Sequence, residues 1–212
     1  METGRVEAFS DGVFAIAITL LILAVAVDHA PTSGSLSHQL LHLWPAYIAY
    51  AVSFVTVGIM WINHHQLFHH FAGADRILLL LNTLLLMSIA FTPFPTRVVA
   101  EFAHTNSDRR AAALLYGINF TFTAILFLAL WLYGSRRLLK PDSDMREVSG
   151  ITRSYLPGAP LYGTATLIAL ASPTASLIMF AAIALFYAIS SAVFGRSEDT
   201  VARTASVGDP SA

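Results

Sequence analysis

The chain has 212 residues, of which 56% are hydrophobic and only 12% are charged, whereas soluble domains carry about 25% charged residues. A water-soluble fold of this size could not bury so much apolar side chain, because burial is limited by the ratio of surface to volume. The composition therefore favours a membrane protein over a soluble enzyme. The net charge of −1 gives nucleic-acid binding no electrostatic basis, and the absence of cysteine excludes disulfides and zinc–cysteine sites.

The apolar segments predict an all-α, polytopic membrane protein with six transmembrane helices in one domain, residues 1–194. A helix needs about 20 apolar residues to cross the hydrocarbon core. The expected helices cover residues 8–27, 40–62, 77–99, 111–133, 156–171 and 173–194. The first segment follows Glu2 and Glu7 and has no convincing cleavage site, so we interpret it as a retained helix rather than a signal peptide.

The last two helices share one apolar run, residues 156–194, which is too long for a single span. Ser172-Pro173 divides this run, because proline suits the first turn of a new helix. The fifth helix is then short and its start is ambiguous. The polar residues 195–212 are expected to be disordered.

The distribution of Lys and Arg favours a topology with both termini inside, because cytoplasmic loops carry an excess of these residues. In that orientation, nine of the 12 basic residues lie inside and three outside. The inner ones are Arg5, Arg76, Arg136, Arg137, Lys140, Arg146, Arg153, Arg196 and Arg203. The loop that contains Arg97, Arg109 and Arg110 is the one discordant segment.

The first helix carries an apolar stripe on one face. With Ile16 at zero on a wheel of about 100° per residue, Leu20 lies near +40°, Leu23 near −20° and Val27 near +20°. Thr19 lies about 60° to one side and Asp11 almost opposite, near 220°. By periodicity alone, such a stripe faces lipid or a neighbouring helix more often than a pore.

Polar side chains on three helices are expected at one depth in the membrane. Antiparallel threading brings Asp11, Trp61, Asn82 and one of His64 or His65 together near the inner surface. Polar groups within a membrane are costly and usually have partners. We therefore expect a hydrogen-bonded network that fixes the first helix against the second and third. The alternative for Ser10 and Asp11 is capping of a helix start.

The histidines near the end of the second helix allow two other interpretations. His64, His65, His69 and His70 can simply face lipid headgroups, or His65 and His69, which have metal-ligand spacing, can belong to a metal or haem site. No third ligand of carboxylate or thiolate type is clearly placed. We therefore expect no metal and no cofactor.

The motif Arg-x-x-x-Phe-Ser-Asp resembles the signature of the transmembrane protein 175 family. It is formed by Arg5, Phe9, Ser10 and Asp11, and is followed in the family's order by Trp61, His64, His65, Phe68, Asn82, Pro93, Phe94 and Pro95. The first half of the chain carries this resemblance closely, and the second half matches by hydropathy and length.

The resemblance implies a potassium channel of the prokaryotic, single-repeat kind, which assembles in the cell membrane as a homotetramer around permeant potassium ions. In that family the first helix of each subunit lines a central pore, which places Ile16, Leu20 and Leu23 at an apolar constriction and Thr19 in a threonine layer. The family's structural polar network falls on Arg5, Phe9, Ser10, Asp11, Trp61, His64, His65 and Asn82.

Two other classes of function remain open from the sequence. A secondary transporter or proton-coupled protein would use Asp11 and the nearby histidines, although no inverted repeat is evident. A membrane enzyme or haem carrier would use the histidine cluster. For a channel, the sequence has no Thr-Val-Gly-Tyr-Gly filter, so potassium selectivity would come from an apolar constriction rather than from backbone carbonyls. That selectivity would be modest, because it would rest on the larger dehydration cost of sodium.

Overall fold

The computed structural model describes residues 3–25, 35–102 and 108–189, and within these ranges it is built from helices. The helices are α1 (Thr3–Leu20), α2 (Leu36–His42), α3 (Trp44–His69), α4 (Arg76–Phe91), α5 (Pro93–Glu101), α6 (Arg109–Arg137), α7 (Met145–Tyr155), α8 (Gly158–Ile168) and α9 (Pro173–Ile189). A 3-10 turn, Leu21–Ala24, extends α1.

Four helical segments in these ranges are long and apolar enough to cross a membrane. They are Thr3–Ala24, Trp44–His69, Arg76–Glu101 and Arg109–Arg137. α8 and α9 are apolar but shorter. The expected all-helical membrane class is therefore confirmed. The stripe position Val27 and the tail 195–212 lie outside the part of the chain that the structure describes.

Several helices differ in extent from the sequence-based expectation: α1 already begins at Thr3, the predicted third helix is divided at Thr92 into α4 and α5, and α6 runs four residues beyond the predicted end at 133. The second long helix was expected over 40–62 but begins at Trp44, because a separate short helix, capped by the Ser35 hydroxyl, occupies Leu36–His42. It then continues past Ile62 to His69, where its polar end leaves the apolar region. The fifth helix occupies Gly158–Ile168 rather than 156–171, since Pro157 precedes its first turn.

α1 packs against α3 and α4 through one face. Its buried residues recur every three or four positions, at Val6, Ser10, Phe14, Ala17 and Leu21, which is the spacing of a single helix face. α6 packs against α4 on one side and α8 on the other. α1 is therefore held by one face only, and the other face has no neighbour within the described part of the subunit.

One end of the bundle is closed by a short backbone pairing between the α3–α4 connection and the end of α6. The Ala72 N–H donates to the Leu138 carbonyl at 2.8 Å, and the Lys140 N–H donates to the His70 carbonyl at 3.1 Å. Asp75 caps α4 by accepting from the Leu78 N–H at 2.9 Å, and it also accepts from the Tyr133 hydroxyl. These two bonds, the backbone one first, hold the pKa of Asp75 below its ordinary value.

Candidate functional site

The face of α1 that lies opposite its buried residues is a continuous apolar surface. Ile16 is 62% exposed, Leu20 41% and Leu23 59%, and Phe9, nearer the N-terminus, is 64% exposed. These side chains are separated by three, four or seven positions, so they share one side of the helix. The stripe predicted from periodicity is thus the side of α1 that the other described residues of the subunit leave uncovered.

Thr19 lies on the exposed side of α1, beside the apolar stripe. Its hydroxyl donates to the Ile16 carbonyl at 2.9 Å, within the same helix. The hydroxyl oxygen keeps its lone pairs, so this threonine can still present an acceptor toward whatever faces α1.

The stripe does not keep α-helical spacing to its end. From Leu21 to Ala24 the backbone is a 3-10 turn, closed by a bond from the Val25 N–H to the Ile22 carbonyl at 2.9 Å. A 3-10 helix turns about 120° per residue rather than 100°. Leu23 therefore sits in line with Leu20, about 60° from the position that the α-helical wheel gave it.

A buried chain of hydrogen bonds anchors α1 to its neighbours. The His64 Nε2–H donates to Asn82 Oδ1 at 2.8 Å, Asn82 Nδ2 donates to the Ser10 hydroxyl at 3.1 Å, and that hydroxyl donates to the Val6 carbonyl at 2.8 Å. Ser10, His64 and Asn82 are all nearly inaccessible to solvent. This series of hydrogen bonds joins α3, α4 and α1 in that order. His64, and not His65, is therefore the histidine of the pair that belongs to the network.

A second contact between α1 and α3 is separate from this chain. The Trp61 indole N–H donates to Asp11 Oδ1 at 2.8 Å. One turn nearer the N-terminus, His65 Nδ1 lies 3.8 Å from a Glu7 carboxylate oxygen, and the His65 side chain is 62% exposed. Asp11 and Glu7 are thus both directed toward α3 rather than toward the open face of α1.

The structure differs from the expected network at the first two signature residues. Arg5 and Phe9 are exposed and lie on the open side of α1, and no hydrogen bond from either side chain joins the buried chain within the described residues. The reason is the helical angle: Phe9 precedes Ser10 by one position and Arg5 precedes it by five, which turns both side chains about 100–140° away from the buried face on which Ser10 lies.

The structure does not assemble a metal site from the histidines. Within the described ranges, no three His, Cys, Asp or Glu side chains come close enough to hold an ion. His70 instead bonds the Gln66 carbonyl at 2.8 Å and Glu147 at 3.2 Å, which docks α7 on the end of α3.

A second buried polar network, at the other end of the bundle, was not foreseen from the sequence. Ser53 bonds Thr96 at 2.9 Å and Tyr116 at 3.1 Å, and Asn119 Nδ2 donates to the Thr92 hydroxyl at 3.0 Å. Ser88 and Thr123 bond each other at 2.9 Å. The available signal was the spacing of Ser88, Thr92 and Thr96, which places three small hydroxyls on one face of an apolar span.

Comparison with known proteins places this architecture in a family. The family model described as "Endosomal/lysosomal potassium channel TMEM175" matches residues 5–93. A protein of Streptomyces collinus that is named a potassium channel is 42% identical over 188 residues, which is 88% of this chain and 91% of that protein. The human protein named "Endosomal/lysosomal proton channel TMEM175" is 39% identical over 135 residues, which is 60% of this chain and 27% of that protein.

A solved structure extends the likeness to the fold. The crystal structure of a lysosomal potassium-selective channel TMEM175 homolog from Chamaesiphon minutus matches with a TM-score of 0.82 and 41% sequence identity, covering 89% of this chain and 97% of that one. Identity at this level over nearly the full length, together with the family signature at Arg5, Phe9, Ser10 and Asp11, shows that the chain belongs to the TMEM175 family.

Proposed function

We propose that the chain is a potassium channel whose pore forms where the α1 helices of four identical subunits meet. The observation that carries this proposal is the open face of α1, on which Ile16, Leu20 and Leu23 project from a helix whose other face is fully packed. The similar proteins of Streptomyces collinus and Chamaesiphon minutus are named potassium channels, and for this reason we propose potassium as the permeant ion.

The anchors of α1 suit a helix that must keep its orientation beside a pore. The chain from His64 through Asn82 to Ser10, together with the contact between Trp61 and Asp11, resists rotation of α1 about its own axis. A rotation of one residue position, about 100°, would carry the apolar stripe away from the axis. The polar network therefore positions the constriction and does not itself touch the ion.

The selectivity follows from the apolar character of the constriction. A ring of Ile16, Leu20 and Leu23 offers no oxygen to replace hydration water, so an ion passes only with part of its water shell. Dehydration costs more for sodium than for potassium because sodium is smaller, so a narrow apolar ring favours potassium. The Thr19 hydroxyl adds weak coordination beside the ring, and no cofactor is needed.

The proposal includes six membrane spans with both termini on the cytoplasmic side of a prokaryotic cell membrane. Four segments have full spanning length, and α8 and α9 supply the remaining two as a shorter pair. Contacts of Trp61 with Asp11, of Tyr133 with Asp75 and of Trp131 with Thr152 bring the basic ends of α1, α4, α6 and α7 to one end of the bundle. That distribution is the one expected for an inner surface.

The test is potassium flux in liposomes that contain the purified chain, with sodium and caesium measured in parallel. We expect Ile16→Asn to raise conductance and to lower potassium selectivity, because a polar side chain in the constriction keeps water in the pore. Ile178→Asn is the matched control, since Ile178 is 64% exposed on α9 and is expected to leave the conductance unchanged. Currents of Ile16→Asn that equal those of the unchanged protein would remove Ile16 from the pore.

Proton conduction is the second candidate function. It is favoured by the vertebrate relatives that are named proton channels and by the buried His64, whose ring donates into a polar chain. The same liposomes distinguish the two candidates: a pH gradient that dissipates without any potassium flux supports the proton channel, and potassium flux at constant pH supports the potassium channel.

A further inference from the structure

The N-terminal turns of α1 carry a positively charged residue, Arg5, on the same face as the apolar stripe. Arg5 precedes Ile16 by 11 residues, which corresponds to about 20° on the helical wheel. The two residues keep this angle because α1 is one uninterrupted α-helix from Thr3 to Leu20. Arg5 is exposed, as is Phe9 one turn above it.

The acidic residues of the same turns are directed elsewhere. Glu7 faces His65 at 3.8 Å, and Asp11 accepts from the Trp61 indole at 2.8 Å. Arg5 makes no ion pair with any residue in ranges 3–25, 35–102 or 108–189. The side of α1 that carries the stripe therefore ends in a guanidinium that no carboxylate of the described residues neutralises through an ion pair.

From this arrangement we propose that the four Arg5 side chains form a cationic ring at the N-terminal mouth of the pore and limit the entry of potassium from that side. The inference rests on the proposed function, because only assembly around α1 brings four guanidinium groups together. Its consequence is rectification: potassium current entering at the N-terminal mouth is smaller than current in the opposite direction, because the ring lowers the local cation concentration.

The size of the effect follows from Coulomb's law. Four unit charges, each roughly 10 Å from the axis in water, reduce the potassium concentration on the axis about eightfold at 0.01 M salt and about threefold at 0.1 M. At 1 M salt, screening removes nearly all of it, since the Debye length is then about 3 Å. A constriction of purely steric origin would show no such dependence on ionic strength.

The experiment measures single-channel currents in both directions at symmetric potassium concentrations of 0.01, 0.1 and 1 M. The unchanged protein is expected to rectify most strongly at the lowest concentration. Arg5→Gln should remove the rectification and its salt dependence, whereas Arg5→Lys should retain both. Arg153→Gln is the control, because Arg153 is exposed on α7 and should leave the ratio of the currents unchanged.

The absence of cysteine in the chain permits a second test without further engineering. Arg5→Cys treated with a cationic thiol reagent should regain the rectification, and treatment with an anionic reagent should reverse its direction. Rectification that is independent of salt in the unchanged protein, or that persists in Arg5→Gln, overturns the cationic ring while leaving a potassium channel in place. Failure of the unchanged protein to conduct potassium overturns the proposed function instead.

Discussion

At the scale of single residues, the chain from His64 through Asn82 to Ser10 is ordered by the hydrogen-bonding capacity of each group. The amide of Asn82 accepts through Oδ1 and donates through Nδ2, so it can join the imidazole of His64 on α3 to the hydroxyl of Ser10 on α1. Its removal would leave two buried polar side chains without that partner, which is costly where no water replaces it.

We expect Asn82→Ala to lower the free energy of unfolding by about 1–3 kcal/mol, because the ring of His64 and the hydroxyl of Ser10 each lose a buried partner. The measurement is the thermal unfolding midpoint of the purified protein in detergent. Thr83→Ala is the matched control on the same helix, since Thr83 is exposed and bonds only its own helix backbone, at Leu79. Equal midpoints for the two variants would contradict a stabilising role of the chain.

Part of this site could be predicted from the sequence. Antiparallel threading of apolar segments places Asn82 and the pair His64–His65 at one depth, because helix rise and span length are nearly fixed. Which histidine turns inward could not be predicted. Adjacent residues differ by about 100° on the helix, and only the packing of α3 against α4 decides between them. The positions of Arg5 and Phe9 outside the network depend on packing in the same way.

At the scale of helices, α6 is the element against which α4, α5, α7 and α8 pack. Two of its glycines allow close approach: a methyl group at Gly117 would lie 2.5 Å from the Thr166 hydroxyl of α8, and one at Gly134 would overlap the ring of Phe71. Phe71 in turn stacks on Trp131 of α6, with ring centroids 6.1 Å apart. The absence of side chains at these positions thus sets the spacing between α6 and its neighbours.

We expect Gly134→Ala to destabilise the protein by about 1–3 kcal/mol, the usual cost of forcing an extra methyl group into a packed core. In an open helical position the same change is favourable by up to about 1 kcal/mol. Gly150→Ala on α7, where nothing lies within 4 Å of the added carbon, is therefore the control. Thermal unfolding of both variants checks the expectation, and an unfolding midpoint of Gly134→Ala at or above that of the unchanged protein would refute it.

The existence of these helices is readable from hydropathy, but several of their ends are not. Residues 40–43 are as apolar as those that follow, and yet the helix is interrupted at Leu43, since a new helix begins at Trp44 with Pro45 in its first turn. The extension of α3 to His69 likewise has no apolar signal. Hydropathy identifies the segments that can cross a membrane, whereas the ends of the helices are set by caps, prolines and tertiary contacts.

At the scale of the whole molecule, the proposed tetramer explains why α1 leaves one face uncovered. A single subunit exposes Phe9, Ile16, Leu20 and Leu23 on that face, although the same helix buries Phe14 and Leu21 completely on the other. Assembly of four copies covers the open face in part and leaves its centre for the ion.

We expect native mass spectrometry of the protein in detergent to give about four times the chain mass of 22.9 kDa, because a closed ring of four satisfies the open face of every copy. Single cysteines at Leu20 should cross-link neighbouring chains under mild oxidation, whereas cysteines at Ile178 on α9 should not. A monomer mass with no cross-linking at either position would contradict assembly around α1.

The 3-10 turn at Leu21–Ala24 changes the helical geometry at the C-terminal end of α1, where Leu21 and Ala24 are buried. In this tight turn Leu23 lies in line with Leu20, so in the proposed tetramer two rings of leucine would line the same narrow, apolar part of the pore. Relaxation of those four residues to ordinary α-helix would exchange i+3 for i+4 hydrogen bonds and swing Leu23 sideways by about 60°. In the proposed tetramer the Leu23 ring would then no longer align with the Leu20 ring, so the 3-10 or α-helical state of these four residues would set the width of the pore at that level.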